Sequence, residues 1–234
     1  MIKLINEIVR IIARMFVRSA WEELRPLISY QCRSFSEHGR KSPPFIIHKL
    51  LISGEDHRNG WHYGFDAYAI CRAIWRRVIF GRREGASTIE QQLVRVMTNR
   101  YEYTIRRKLR EILLATLVAK EFEKSTIASI YLDIAYFGWR MNGYVQACHR
   151  LGFSPDSLTL DEAAELVARL KYPEPRVVHL ERISQIYSRK LHLKRLYAKH
   201  LNDSTYDHLG ESHEHKTIQV KPLASKNYQL EFST

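Results

Sequence analysis

Residues 85–92 read Gly85-Ala86-Ser87-Thr88-Ile89-Glu90-Gln91-Gln92. A glycine turn runs into two hydroxyl residues, and Glu90 follows Ser87 at the spacing of a capping box, so a helix is predicted to open at Ser87. The unpaired N–H groups of that first turn, with the hydroxyls beside them, form a place where a phosphate or a sugar can be held; equally, Ser87 is an ordinary cap. Working outward, Asp66 is placed to cap a helix over 66–80 with Ala69, Ile70, Ala73 and Ile74 as its apolar stripe. A strong helix is expected over 104–122, with Leu109, Ile112, Leu113 and Leu117 on one side, and another over 125–137. Thr159 and Glu162 form a second capping box, opening an alanine-rich helix to Leu170. A basic helix covers 180–201. Residues 25–54 read as mixed, broken by Pro43-Pro44. Period-2 alternation is scarce and there are no internal repeats, so the fold class is mainly α.

The chain has 234 residues, 45% of them hydrophobic and 26% charged, with a net charge of +12. That composition excludes wholesale disorder and fibrous repeats and points to polyanionic partners: nucleic acid, anionic lipid or phosphorylated substrate. No zinc-finger spacing, RNP-like motif or KH-type G-x-x-G supports nucleic acid. The three cysteines, Cys32, Cys71 and Cys148, suit neither a disulfide framework nor a zinc cluster. The longest stretch without Asp, Glu, Lys or Arg is nine residues, Met141 to His149, far short of a membrane span, and no signal peptide is visible. Residues 1–24 read as an amphipathic helix. Lys3, Glu7, Arg10, Arg14 and Arg18 form one stripe, and Leu4, Ile5, Ile8, Ile11, Ile12, Met15 and Phe16 cover the rest. Such a helix either lies in a membrane interface or packs on a protein surface. Three segments follow: residues 1–40 as helix and linker, 41–201 as the catalytic domain, and 202–234 as a polar, loosely ordered tail.

Two further stretches carry titratable groups. Gly54 to Asp66 packs Glu55, Asp56, His57 and His62 between glycines in an expected loop. Arg106-Arg107-Lys108-Leu109-Arg110-Glu111 sets Arg107 one turn before Glu111. The alternatives there are a surface ion pair or a glutamate held by cations beside an anionic substrate.

The order and spacing of these stretches resemble glycosyltransferase family 51, the peptidoglycan transglycosylase domain of penicillin-binding proteins. E-D-x-x-F-x-x-H-x-G appears as Glu55-Asp56 with His62 and Gly64; G-x-S-T-I-x-Q-Q is complete from Gly85 to Gln92; R-K-x-x-E is complete at Arg107, Lys108 and Glu111. A fourth motif matches at Lys124, Ile127, Tyr131-Leu132 and Phe137-Gly138, a fifth between Gly152 and Lys171, and the arginine-rich helix has a counterpart around Arg189 to Arg195. Asn59 stands where the family carries an aromatic, Val96 and Asp133 where it carries asparagines.

The resemblance implies a lysozyme-like helical head with a smaller membrane-touching jaw, here preceded by the amphipathic helix. It implies a transferase polymerising lipid II on the outer face of the bacterial cytoplasmic membrane, and with no transpeptidase segment before Thr234 a single-activity enzyme is expected. Undecaprenyl pyrophosphate would be the leaving group. Glu55 would be the base and Glu111 the second catalytic glutamate. Asp56, His62, Ser87, Thr88, Gln91 and Gln92 would hold substrate. Arg107, Lys108 and Lys171, with or without a divalent cation (Mg²⁺ or Mn²⁺), would stabilise the pyrophosphate. The implied partners are lipid II, lipid-linked glycan, the membrane surface and a membrane-anchored cell-wall synthesis protein. Two other classes stay open: a lysozyme-like glycan cleaver, betrayed by turnover of preformed glycan, and a non-catalytic lipid- or glycan-binding module.

Overall fold

The computed structural model describes residues 2–37, 42–81, 84–177 and 179–209. Arg82, Arg83 and the tail from 210, with His213 and His215, lie outside them, as do the side chains of Lys3, Leu4, Ile5 and Glu7. The mainly α expectation is met: the described residues hold ten α-helices, two short 3₁₀ turns and one two-stranded hairpin.

The N-terminal helix differs from the expected 1–24. It is two helices, α1 (Ile2–Phe16) and α2 (Arg18–Glu37), joined at Val17. Helix α2 runs through Pro26, overturning the mixed reading of residues 25–37. Leu24 and Ile28 are buried one turn apart, with Trp21, Cys32 and Phe35 packed along the same stripe. That burial offsets the hydrogen bond lost at an exposed proline.

The centre of the molecule is α3 (Phe45–Glu55), whose Ile47, Leu50, Leu51 and Ile52 are fully buried. It packs against α7 (Lys124–Ile134), α9 (Leu160–Lys171) and α10 (Leu180–His200). Ala163, Ala164 and Ala168 keep α9 slim enough for close approach. Gly54 does the same near the end of α3. A Cβ there would lie 2.4 Å from Leu193 Cδ2 and 3.1 Å from Arg189 Nη2, both on α10. The helix expected to reach residue 137 stops at Ile134, because Phe137 turns into the core on β1 (Tyr136–Gly138), paired with β2 (Met141–Asn142). Helix α8 (Tyr144–Leu151) follows.

Asp66 caps α4 (Ala67–Phe80) as expected. Only Ala69 of α4 is buried, while Ile74, Trp75, Val78, Ile79 and Phe80 are exposed, so this helix lies at the surface with a broad apolar face open. The capping-box expectation is shifted by one residue. Helix α5 (Ile89–Thr98) is capped by Thr88, whose Oγ1 accepts from the Gln91 N–H. Ser87 and Glu90 are engaged elsewhere. Thr104 caps α6 (Ile105–Glu121), and Thr159 with Glu162 forms the predicted box at α9. The polar tail expected from Asn202 is ordered at its start: residues 204–209 form a 3₁₀ turn, and Tyr206 and Leu209 pack on the core.

Candidate active site

Glu55 is the last residue of α3, with its side chain 19% exposed. Its Oε1 accepts from Arg189 Nη2 at 3.1 Å, and the same Nη2 donates to the Gly54 carbonyl at 2.7 Å. The missing Cβ of Gly54 is what lets this arginine reach. Among the described residues Oε2 is held by one long bond, from Gln92 Nε2 at 3.4 Å. Tyr131 O–H donates to Gln92 Oε1 at 2.6 Å, fixing the amide so that its nitrogen faces Glu55. Burial, then the Glu55 charge, pushes the Tyr131 phenol well above its usual range, so it stays a donor.

Behind Glu55 lies a buried network. The Asp56 carboxylate accepts from His62 Nε2 at 2.9 Å, Asn59 Nδ2 at 3.0 Å and the Ile89 N–H at 3.2 Å. Burial alone would raise this carboxyl. The bonds from His62 and Asn59, with the Lys124 charge, outweigh it and hold Asp56 below the ordinary range. Lys124 Nζ donates to Glu90 Oε1 at 2.6 Å and lies 3.4 Å from His62 Nδ1. Asp56, His62 and Glu90 have metal-ligand composition, but the Lys124 ammonium sits among them and supplies their positive charge.

The second cluster surrounds Glu111, which is 3% exposed. Arg95 donates to both of its oxygens at 3.0 Å, Lys108 Nζ to Oε1 at 2.7 Å, and Arg107 Nη1 to Oε2. The surface-pair alternative therefore falls, and the held glutamate stands. Burial pushes Glu111 up, but the bonds from Arg95 and Lys108 and their charges pull it below the carboxylate range. Burial, aided by Arg95 and Arg107, in turn lowers Lys108 despite Glu111. Ser87 Oγ accepts from Lys108 at 2.9 Å and from Arg95 at 3.3 Å. Three cations on one carboxylate leave two positive charges in excess, with Arg100 and Arg110 alongside. Such a surface is electrostatically suited to an anion. A divalent cation does not fit it, because both Glu111 oxygens are taken and the neighbours are positive.

Several expected substrate contacts are instead internal. Thr88 is 1% exposed, and its hydroxyl donates to the Gly64 carbonyl while capping α5. Gln91 is fully buried between Gly64 and Lys108. Asp56 and His62 are buried against each other. These four tie the loop to α5 and position the site without lining it. Glu55, Gln92, Ser87, Arg107 and Lys108 keep some exposure. Lys171 is not brought to Arg107 and Lys108. It lines a separate recess of about 600 Å³ with Tyr172, Arg189 and His192, on the Glu55 side. Consecutive residues of α5 link the two clusters: Gln91 touches Lys108, and Gln92 touches Glu55.

Arg95, Tyr131 and Arg189 join the site without a role that the sequence assigns them. Arg95 follows Gln91 by four residues, so it repeats along that face of α5, a signal that helical spacing carries. Arg189 falls in the arginine-rich stretch, but its reach to Glu55 depends on α10 crossing at Gly54.

This arrangement defines a carboxylate site opposite an anion-receiving one on a helical head. The transglycosylase family model matches residues 28–196, and the chain belongs to that family. It is 38% identical over 162 residues to penicillin-binding protein 1A of Aquifex aeolicus, covering 67% of this chain and 22% of that protein. It is 33% identical over 133 residues to penicillin-binding protein 1F of Bacillus subtilis, covering 56% and 18%. With penicillin-binding protein 1A of Neisseria lactamica it shares 32% over 160 residues, covering 67% and 20%. The chain thus spans about a fifth of the length of these relatives.

Proposed function

We propose that the protein is a peptidoglycan glycosyltransferase that extends glycan strands from lipid II. The observation that carries this is Glu55, partly exposed, with one oxygen fixed by Arg189 and the other only weakly engaged. The acceptor 4-hydroxyl gives its proton to Oε2 as its oxygen bonds to the donor's anomeric carbon. The bond from that carbon to the undecaprenyl pyrophosphate breaks in the same step, its electron pair leaving with the pyrophosphate. One displacement inverts the anomeric centre and needs no covalent intermediate. The charge building on the leaving group falls to Arg107, Lys108 and Arg95, which are preorganised by Glu111. Ser87, already accepting from two of these cations, completes the cradle, and Lys171 acts from the recess beside Arg189 on the sugar or acceptor side.

A lipid-linked substrate places the protein at a membrane surface, here the outer face of the cytoplasmic membrane. Ile8, Ile11, Met15 and Phe16 of α1 remain exposed although α1 packs on α6. Ile12, Phe16, Ile105, Leu109 and Leu113 line a groove of about 750 Å³ between the two helices, flanked by Arg106 and Arg110. Both alternatives for the N-terminal helix thus find support, with Phe16 at the edge between the open face and the groove. Among the described residues no helix is long and apolar enough to cross a membrane.

The test is polymerisation of fluorescent lipid II in detergent, with and without divalent cation, beside Glu55→Gln. Monomer consumed into lysozyme-digestible glycan, and a loss of about 10³-fold or more in the variant, is the expected result. No turnover where a family member works would sink this reading.

A further inference from the structure

The family match ends at Leu196, yet the chain continues to the end of α10 and turns back onto the loop that follows Glu55. His208 Nε2 donates to Asn59 Oδ1 at 2.8 Å. The other end of that amide, Nδ2, donates to Asp56 Oδ2 at 3.0 Å. Asn59 is 3% exposed, so each of its polar ends relies on a protein partner. Gly60 lets the imidazole sit close, since a Cβ there would lie 2.7 Å from His208 Nδ1. Two further bonds fix the same segment to α3 one turn earlier: Ser53 Oγ lies 3.1 Å from His200 Nδ1 and shares a short hydrogen bond with the Tyr206 hydroxyl. His57 stacks on His200 with ring centroids 6.0 Å apart. Ser53, His57, Asn59 and Gly60 bracket Glu55 in sequence, and all of them meet residues 200–209.

We propose that residues 200–209 are an intramolecular clamp that positions Glu55, acting through the relay His208–Asn59–Asp56 and through Ser53. This rests on Glu55 being the base, but the clamp itself is observable without turnover. His208 bonds to Asn59 and Tyr206 to Ser53, not to Glu55 itself, so both are positioning residues. A side chain that holds Asp56 and the turn after Glu55 fixes where the carboxylate points, which affects the chemical step more than binding.

The experiment compares the full chain with His208→Ala and His208→Gln by hydrogen exchange at the Asn59 and Trp61 amides. Those amides donate to the Asp56 and Arg58 carbonyls at 2.9 and 2.8 Å and so report on the turn. Alanine is expected to speed their exchange roughly fivefold or more, the scale of one lost buried hydrogen bond. Glutamine, whose amide N–H can donate to Asn59 Oδ1, should restore most of the protection, and α9 amides should not change. In the lipid II assay His208→Ala should lower kcat by about the same factor with KM nearly unchanged, and His208→Gln should recover it. Unchanged exchange at Asn59 and Trp61 overturns the clamp. Faster exchange with unchanged kcat overturns its link to Glu55. If the wild-type chain forms no glycan, the activity reading fails, while the exchange data still decide whether the segment holds the turn.

Discussion

At the residue scale, Glu111 shows how a carboxylate can serve by being occupied. Its oxygens are filled by Arg95, Arg107 and Lys108, so it holds three like charges together. Glu111→Gln keeps the shape and removes that charge. At neutral pH it should destabilise the fold by about 2–3 kcal/mol, somewhat less than a fully buried pair because the cations are partly exposed. The sign with pH follows from the depressed carboxyl. The stabilisation is fully present above the unfolded value of 4.5 and is lost as pH falls through the lower folded value. Denaturant unfolding of both proteins from neutral pH downward should show the gap close on acidification. A gap that persists in acid would remove ionised Glu111 as its cause.

At the scale of the element, α5 is the organiser, and its N-terminus shows where the sequence is ambiguous. Ser87 with Glu90 and Thr88 with Gln91 both fit a cap three residues ahead of its partner. Contacts from distant residues break the tie: Thr88 finds the Gly64 carbonyl, while Lys108 and Arg95 take Ser87. Thr88→Ala removes a cap and leaves a buried carbonyl short of a donor, so it should cost about 2–3 kcal/mol, with Thr88→Ser recovering most of it. Thermal unfolding of the two variants checks this, and equal melting temperatures would contradict the assignment. The same reasoning explains the rest of what was legible. Asp66, Thr104 and Thr159 act through bonds three residues away, and the motifs at Glu55 and Arg107 keep their groups together because each sits at one helix end. The long α2, the ordered turn at residues 204–209 and the pairing of Arg189 with Glu55 depend on packing partners more than 100 residues apart or on a stripe that overrides a proline. The α2 stripe is present in the local pattern but is outvoted there by Pro26, and the two long-range pairings leave no local trace.

For the whole molecule, the charge of +12 and the exposed apolar residues of α1 and α6 are expected to act together. The protein should sediment with vesicles rich in anionic phospholipid, bind neutral vesicles weakly, and lose binding steeply as salt rises. Phe16→Ser should weaken binding to anionic vesicles, and retention of full binding by that variant would exclude the α1 face as the contact. Helix α6 also carries a consequence for how such a chain can change over evolutionary time. Arg107, Lys108 and Glu111 look into the anion cradle, while Ile105, Leu109 and Leu113 look the opposite way into the groove. A single codon inserted within this turn would rotate everything downstream by about 100°. Glu111 would swing out of the cradle and Arg110, a fourth cation, would take its place. This stretch can exchange its side chains one at a time, yet it is closed to any change in length.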